Sequence, residues 1–137
     1  MQLRTIVVTA AALAGLAGCQ SWGPSWSEIS GSRYTHTDFN RFPTGINAVD
    51  GTNPGPRAGY RGASYYKVEP GRHDIQLQAI NTSPNWVSGI NRQNAVMDIE
   101  PCKRYYLNAQ FENRLLADWK PVVDYVEDIP GCGVTRR

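Results

Sequence analysis

The chain is poor in the residues that carry chemistry. Among 137 residues there are two histidines, three cysteines, 14 Lys plus Arg and 12 Asp plus Glu, for a formal net charge of +2. No run of lysines and arginines occurs, so the basic face of a nucleic-acid binder is not expected. No CxxC is present and no histidine follows His73, which leaves no zinc-type ligand spacing. No G-x-S-x-G sequence occurs, so a hydrolase nucleophile elbow is missing. The longest apolar stretch, Thr5 to Leu16, is about 12 residues, against the roughly 20 that a bilayer-crossing helix needs.

What is present begins at the amino terminus. A basic residue, Arg4, precedes that short apolar run, the layout of an export signal. The run closes on Leu16-Ala17-Gly18-Cys19. This resembles the bacterial lipobox, in which a large aliphatic and two small residues precede a cysteine that is acylated before the signal is cut away. The resemblance implies residues 1–18 as a removed lipoprotein signal and Cys19 as the lipidation site, carrying acyl chains such as palmitate. Gln20 and Ser21 follow Cys19. With no aspartate there to resemble the inner-membrane retention signal, the expected address is the periplasmic side of the cell outer membrane. Arg4 is the only charge before Cys19, so its removal takes the net charge from +2 to +1.

With Cys19 assigned to lipid, Cys102 and Cys132 remain as a pair in an oxidising compartment, and a disulfide between them is expected. Closing a loop of about 30 residues stabilises a domain by on the order of 3.5 kcal/mol in the chain-entropy model.

Residues 19–39 read as a lipidated tether, rich in Ser, Thr, Gly and Trp without helical period; Trp22 and Trp26 either rest at the headgroups or pack on the domain. Residues 40–133 read as strands broken by Gly, Pro and Asn, and 134–137 as a tail. Arg72 to Ile80 alternates cleanly, with Ile75, Leu77 and Ala79 on one face and Asp74, Gln76 and Gln78 on the other. Phe42–Asp50, Ser64–Glu69, Gln93–Ile99, Lys103–Phe111 and Trp119–Ile129 supply the other strands, with Ile46, Tyr105, Leu107, Ala109, Phe111, Val123, Tyr125 and Ile129 inward. Glu112 to Asp118 has helical character, predicting one turn. Strands recurring at this spacing predict an all-β fold, a single antiparallel sandwich, Ig-like or prealbumin-like, of about six or seven strands.

Ile46-Asn-Ala-Val-Asp50-Gly51 and the later Tyr66-Lys-Val-Glu-Pro70-Gly71-Arg-His73-Asp-Ile-Gln-Leu77 resemble PEGA-type domains of bacterial surface lipoproteins. Those pair an xVDG turn with a PGxH turn leading into a strand. The resemblance implies structural turn roles for Asp50, Gly51, Pro70, Gly71 and His73, with His73 bonding a backbone carbonyl. It implies a fold and an address without a shared activity.

The remaining candidates are few. His36 with Asp38, and His73 with Asp74, lack a metal-ligand spacing, so no metal or other cofactor is expected. Asp124, Glu127 and Asp128 could pair as glycosidase carboxylates but read as a solvated face. The loop from Gly51 to Gly62 holds Arg57, Tyr60 and Arg61 among glycines and prolines and is a possible recognition loop for a glycan, a lipopolysaccharide phosphate or a protein. Ser30-Gly31-Ser32-Arg33-Tyr34 is faintly similar to the serine-glycine loop of periplasmic lysozyme inhibitors. The leading expectation is a non-enzymatic accessory or interaction module of the cell envelope. It would be bound to the membrane through its lipid, with an envelope protein or glycan as partner and no role with nucleic acid. The alternatives are a binding or inhibitor module for envelope glycan or a lytic enzyme, and behind it a hydrolase.

Overall fold

A computed structural model describes residues 25–35, 37–55, 65–80 and 92–133. These residues form an all-β, sandwich-like fold of two sheets. In chain order the strands are β1 (Ser27–Ser30), β2 (Arg41–Phe42), β3 (Thr44–Val49), β4 (Tyr65–Val68), β5 (Gly71–Ala79), β6 (Arg92–Ile99), β7 (Lys103–Phe111) and β8 (Trp119–Asp128). The smaller sheet is β3-β5-β6, antiparallel throughout. In the larger sheet β7 is flanked along its whole length by β8. Its other side is shared: β1 runs parallel to residues 104–106, β2 runs antiparallel to 109–110, and β4 pairs beyond β1.

The alternation read in β5 is what buries Ile75, Leu77 and Ala79. They meet Ile29, Tyr66, Val68, Tyr105, Leu107, Ala109, Phe111 and Trp119 of the larger sheet, with Ile46 and Ile99 from β3 and β6. The core therefore lies between the two inner faces, as period-2 patterning requires. Phe42 packs edge-on against Phe111, with ring centroids 5.3 Å apart.

Three sequence expectations are corrected. Ser27–Ser30, assigned to the tether, is a fully buried strand inside the larger sheet. Its composition hides this because its polar groups are satisfied mainly by partners distant in the chain. Ser27 Oγ donates to Glu100 O at 2.6 Å, Ser30 Oγ accepts from Ser32 N at 3.1 Å, and Glu28 pairs with Arg104. With the two-residue β2, this raises the described strands to eight. Second, Val123 and Tyr125 are not buried but are 46% and 41% exposed, and only Val123 stays on the core side, opposite Leu107. A register shift places Tyr106 opposite Tyr125 and Leu107 opposite Val123, leaving Asp124 as an extra residue. The bulge breaks the alternation that placed both residues on one buried face. Ile129 is buried as read. Third, Glu112–Asp118 contains turns and bends and no helix; Leu115 and Leu116 are exposed there, so a helical turn has no apolar surface to pack against.

Gly31 marks the tightest crossing. A Cβ there would stand 1.7 Å from the Thr44 carbonyl oxygen, whose residue donates its N–H to Gly31 O at 2.8 Å. Only glycine lets the exit of β1 pass the start of β3 this closely.

Candidate functional site

The turn residues assemble at one end of the smaller sheet. Asp50 and Gly51 both have positive φ, 51° and 77°, and Val49 and Thr52 exchange backbone hydrogen bonds of 2.8 and 3.0 Å across them. This is the conformation an Asp-Gly pair favours in a two-residue turn. Asp50 then reaches to the neighbouring turn: Oδ1 accepts from Asp74 N at 2.8 Å, and Oδ2 lies 2.6 Å from His73 Nδ1. The other ring nitrogen, Nε2, lies 2.6 Å from Glu69 O, the backbone carbonyl just before Pro70-Gly71. His73 thus ties two turns together. Burial lowers its pKa, but the bonds to Asp50 and Glu69 outweigh that and leave it raised. Asp50 is held below the usual carboxylate value by the Asp74 N–H and then by His73.

Cys102 and Cys132 are joined as a disulfide with Cα atoms 5.4 Å apart. The bond links the corner between β6 and β7 to the turn after β8, and Cys102 N donates to Trp26 O at 3.0 Å. Trp26, half-buried, carries the Lys67 ammonium 4.4 Å from its ring centroid. The start of β1 is therefore fastened to the disulfide end.

The most elaborate surface is one the sequence reading did not assemble, the outer face of the larger sheet. Strand registers set Lys67, Glu28, Arg104 and Glu127 in one row across β4, β1, β7 and β8. Tyr65, Ser30, Tyr106 and Tyr125 form the next row. The first row alternates in sign. Arg104 donates to Glu28 at 2.5 Å and to Glu127 at 2.6 Å, with its guanidinium 4.2 Å from the Tyr65 ring centroid. The Tyr106 hydroxyl donates to the same Glu127 oxygen at 2.7 Å. Burial pushes the Tyr106 pKa up, and its contacts to Tyr65 and Glu127 push it further, so it stays a neutral donor. Burial opposes ionisation of Glu127, but Tyr106 and Arg104 overcome this and hold its pKa down.

A strap formed by the chain after β1 crosses this face. Asp124 fixes it, accepting from Tyr34 N at 2.9 Å, Thr35 N at 2.8 Å and Arg41 Nη1 at 2.6 Å. Its side chain has no exposure at all. Burial raises the Asp124 pKa, yet the Thr35 N–H, Arg41 and the Tyr34 N–H together leave it lowered. Beneath the strap, Asn108 Nδ2 donates to Gly31 O and Ser32 O at 3.2 and 3.1 Å. On top, Tyr34 stacks on Tyr125 at 4.0 Å and 6°, leaving both rings more than 40% exposed.

The carboxylates read as a solvated face therefore divide. Asp124 and Glu127 are structural partners of Arg41 and Arg104, and only Asp128, paired with Lys103 at 2.6 Å, is open to water. Asp38 caps a local turn, accepting from Asn40 N at 2.8 Å, and Asp74 accepts from Asn94 Nδ2 at 2.9 Å. Among the described residues no group of three His, Cys, Asp or Glu could hold a metal ion, and no helix is long and apolar enough to cross a membrane. Cys19, His36, Arg57, Tyr60, Arg61, Trp22 and Trp86 lie outside the described residues.

Arg104 was hard to find in the sequence because its partners are 76 and 23 positions away. The only local signal was Lys103-Arg104-Tyr105-Tyr106, two charges followed by two aromatics, which puts one of each on either face of a strand. No family model, curated protein or solved structure matches the chain.

Proposed function

We propose that this protein is an outer-membrane lipoprotein, anchored on the periplasmic side through acylated Cys19, acting as a non-enzymatic interaction module of the envelope. The observation that carries the reading is the Leu16-Ala17-Gly18-Cys19 sequence standing just ahead of a central strand. From Cys19 to Trp26 the chain can span at most about 25 Å when fully extended. The anchor would therefore hold the domain close to the bilayer and enter it through β1. Each buried acyl methylene contributes about 0.8 kcal/mol, so two or three chains make attachment effectively permanent.

An interaction role suits the side chains on the larger sheet. Arg104, Glu28, Glu127, Arg41 and Asp124 neutralise one another, which builds a rigid support and leaves them poorly placed to act on a substrate. What faces outward there is the Tyr34–Tyr125 stack, a surface suited to a protein or glycan partner. The likeness of the two turns to PEGA-type domains supports the same setting. Arg57, Tyr60 and Arg61 remain the candidate recognition residues if the partner is a glycan or a lytic enzyme.

Labelling cells with radioactive palmitate tests the anchor: wild type should take up label and sediment with outer-membrane fractions, and Cys19→Ala should do neither. An unlabelled, freely soluble wild type overturns the proposal.

A further inference from the structure

We infer that β6 is a homodimerisation edge: two copies pair antiparallel through Arg92–Asp98 about a two-fold axis at Ala95. The argument starts from the edges, because an unpaired strand edge offers a row of backbone donors and acceptors to any strand that fits it. The other four described edges are guarded or too short, β2 having only two residues. The free side of β8 is broken by the Asp124 bulge and contains Pro121, each a device that discourages strand addition. β3 has a register shift between Ile46 and Ala48, and β4 is four residues long.

β6 has none of these. It runs eight residues without proline, glycine or bulge, and from Arg92 to Ile99 it pairs in unbroken register with β5. Among the described residues no strand pairs with its other side. Val96, on the outer face, is 55% exposed, more than any other valine among the exposed large hydrophobics.

The occupant follows from charge and symmetry. A two-fold axis normal to the sheet keeps each residue on its own face, so directly opposed residues must have the same parity. Centred on Ala95, the pairing sets Arg92 against Asp98 of the partner subunit and, by symmetry, Asp98 against Arg92 of the partner subunit. Asn94 then opposes Val96, and the small Ala95 side chains meet at the axis. Among the described residues none forms an ion pair with Arg92, and Asp98 has only a long 3.4 Å contact to the well-exposed Arg72, so both charges are placed to pair across the edge. The pairing would continue the three-stranded sheet into six and cover Val96. Because it reverses strand direction, both tethers reach one bilayer when the strands lie along its surface. That last consequence rests on the proposed anchor; the dimer does not.

The test uses the full mature chain in detergent, with mass measured by analytical ultracentrifugation. Wild type should be dimeric. Arg92→Asp and Asp98→Arg, each placing like charges opposite one another, should each weaken association at least about tenfold. The double exchange Arg92→Asp/Asp98→Arg should restore it. In intact cells Ala95→Cys should give a disulfide-linked dimer on a non-reducing gel, since opposed Cα atoms in an antiparallel pair lie about 4.5–5.5 Å apart, within disulfide reach. A monomeric wild type, a dimer indifferent to both charge reversals, or an Ala95→Cys chain that never cross-links would each overturn the inference. Circular dichroism of the charge variants separates lost pairing from lost folding.

Discussion

The outer faces of the two sheets are built on opposite plans. On the larger sheet the outward side chains of β1 and β7 are themselves buried: Glu28, Ser30, Tyr106 and Asn108 all lie beneath a strap or an ion-paired row. On the smaller sheet the outward residues Asp74, Gln76, Gln78, Asn94 and Asp98 are polar, partly or fully exposed and joined by little beyond single contacts such as Asn94 to Asp74. One sheet thus has two packed faces and the other has one. Burying polar and charged groups is tolerable only when their hydrogen bonds are completed. The larger sheet should therefore be sensitive to any loss on its outer side, whereas the smaller one should be indifferent.

The sharpest way to break this contrast is Asp124→Ala. It removes a buried carboxylate that serves one guanidinium and two backbone N–H groups and leaves Arg41 uncompensated. The expected loss is about 3–5 kcal/mol, measured by urea denaturation. Asp124→Asn isolates the charge. Because the folded pKa is depressed, the stability Asp124 contributes is present above its unfolded value of about 3.9 and is lost as pH falls through the lower folded one. Wild type should therefore lose stability below about pH 4 more steeply than Asp124→Asn; parallel acid profiles would refute the role given to this residue. Next is Gly31→Ala, which drives a methyl into the Thr44 carbonyl and should cost about 3 kcal/mol by overpacking. A neutral Gly31→Ala would mean that the strap does not cross as described.

Much of this was legible in the sequence where one physical signal dominated. The alternation of Ile75, Leu77 and Ala79 gave β5, and Asp50-Gly51 and Pro70-Gly71 gave the reversals that bracket it. Cys102 and Cys132 gave their own pairing once Cys19 was set aside. What was not legible depended on partners distant in the chain. Ser27–Ser30 has a single apolar residue, so no period announces a strand; it is buried because Arg104, Glu100 and Ser32 complete its polar groups. Tyr125 was misplaced onto the face of Val123 because a bulge is invisible to a pattern that assumes strict alternation. The outer tyrosine and charge rows needed the parallel pairing of β1 with β7, which local propensity does not encode.

A smaller effect tests the shorter ionic tie of the smaller sheet, His73 with Asp50. His73 has a raised folded pKa, so the stability it contributes is complete below its unfolded value of about 6.5 and fades as pH rises through the folded one. His73→Gln should cost about 1 kcal/mol near pH 6, and the gap to wild type should narrow toward pH 8. Asp50 acts with the opposite sign, its depressed pKa removing the tie again below about pH 4. A gap that is constant across this range would mean that the charge on the ring contributes nothing to the tie.

The smallest expected effect sharpens the comparison most, because it asks whether the second face is bare. Gln76 lies between Ala48 and Asn94 in the middle of the smaller sheet and points away from the core side defined by Ile75 and Leu77. If nothing covers it, Gln76→Ala removes only solvated atoms and should change stability by less than about 0.5 kcal/mol, a result checked by urea denaturation beside Asp124→Ala. A loss above about 1 kcal/mol would mean that the amide is packed or bonded in solution. The two sheets would then share one plan, and the indifference predicted for the smaller sheet would be wrong.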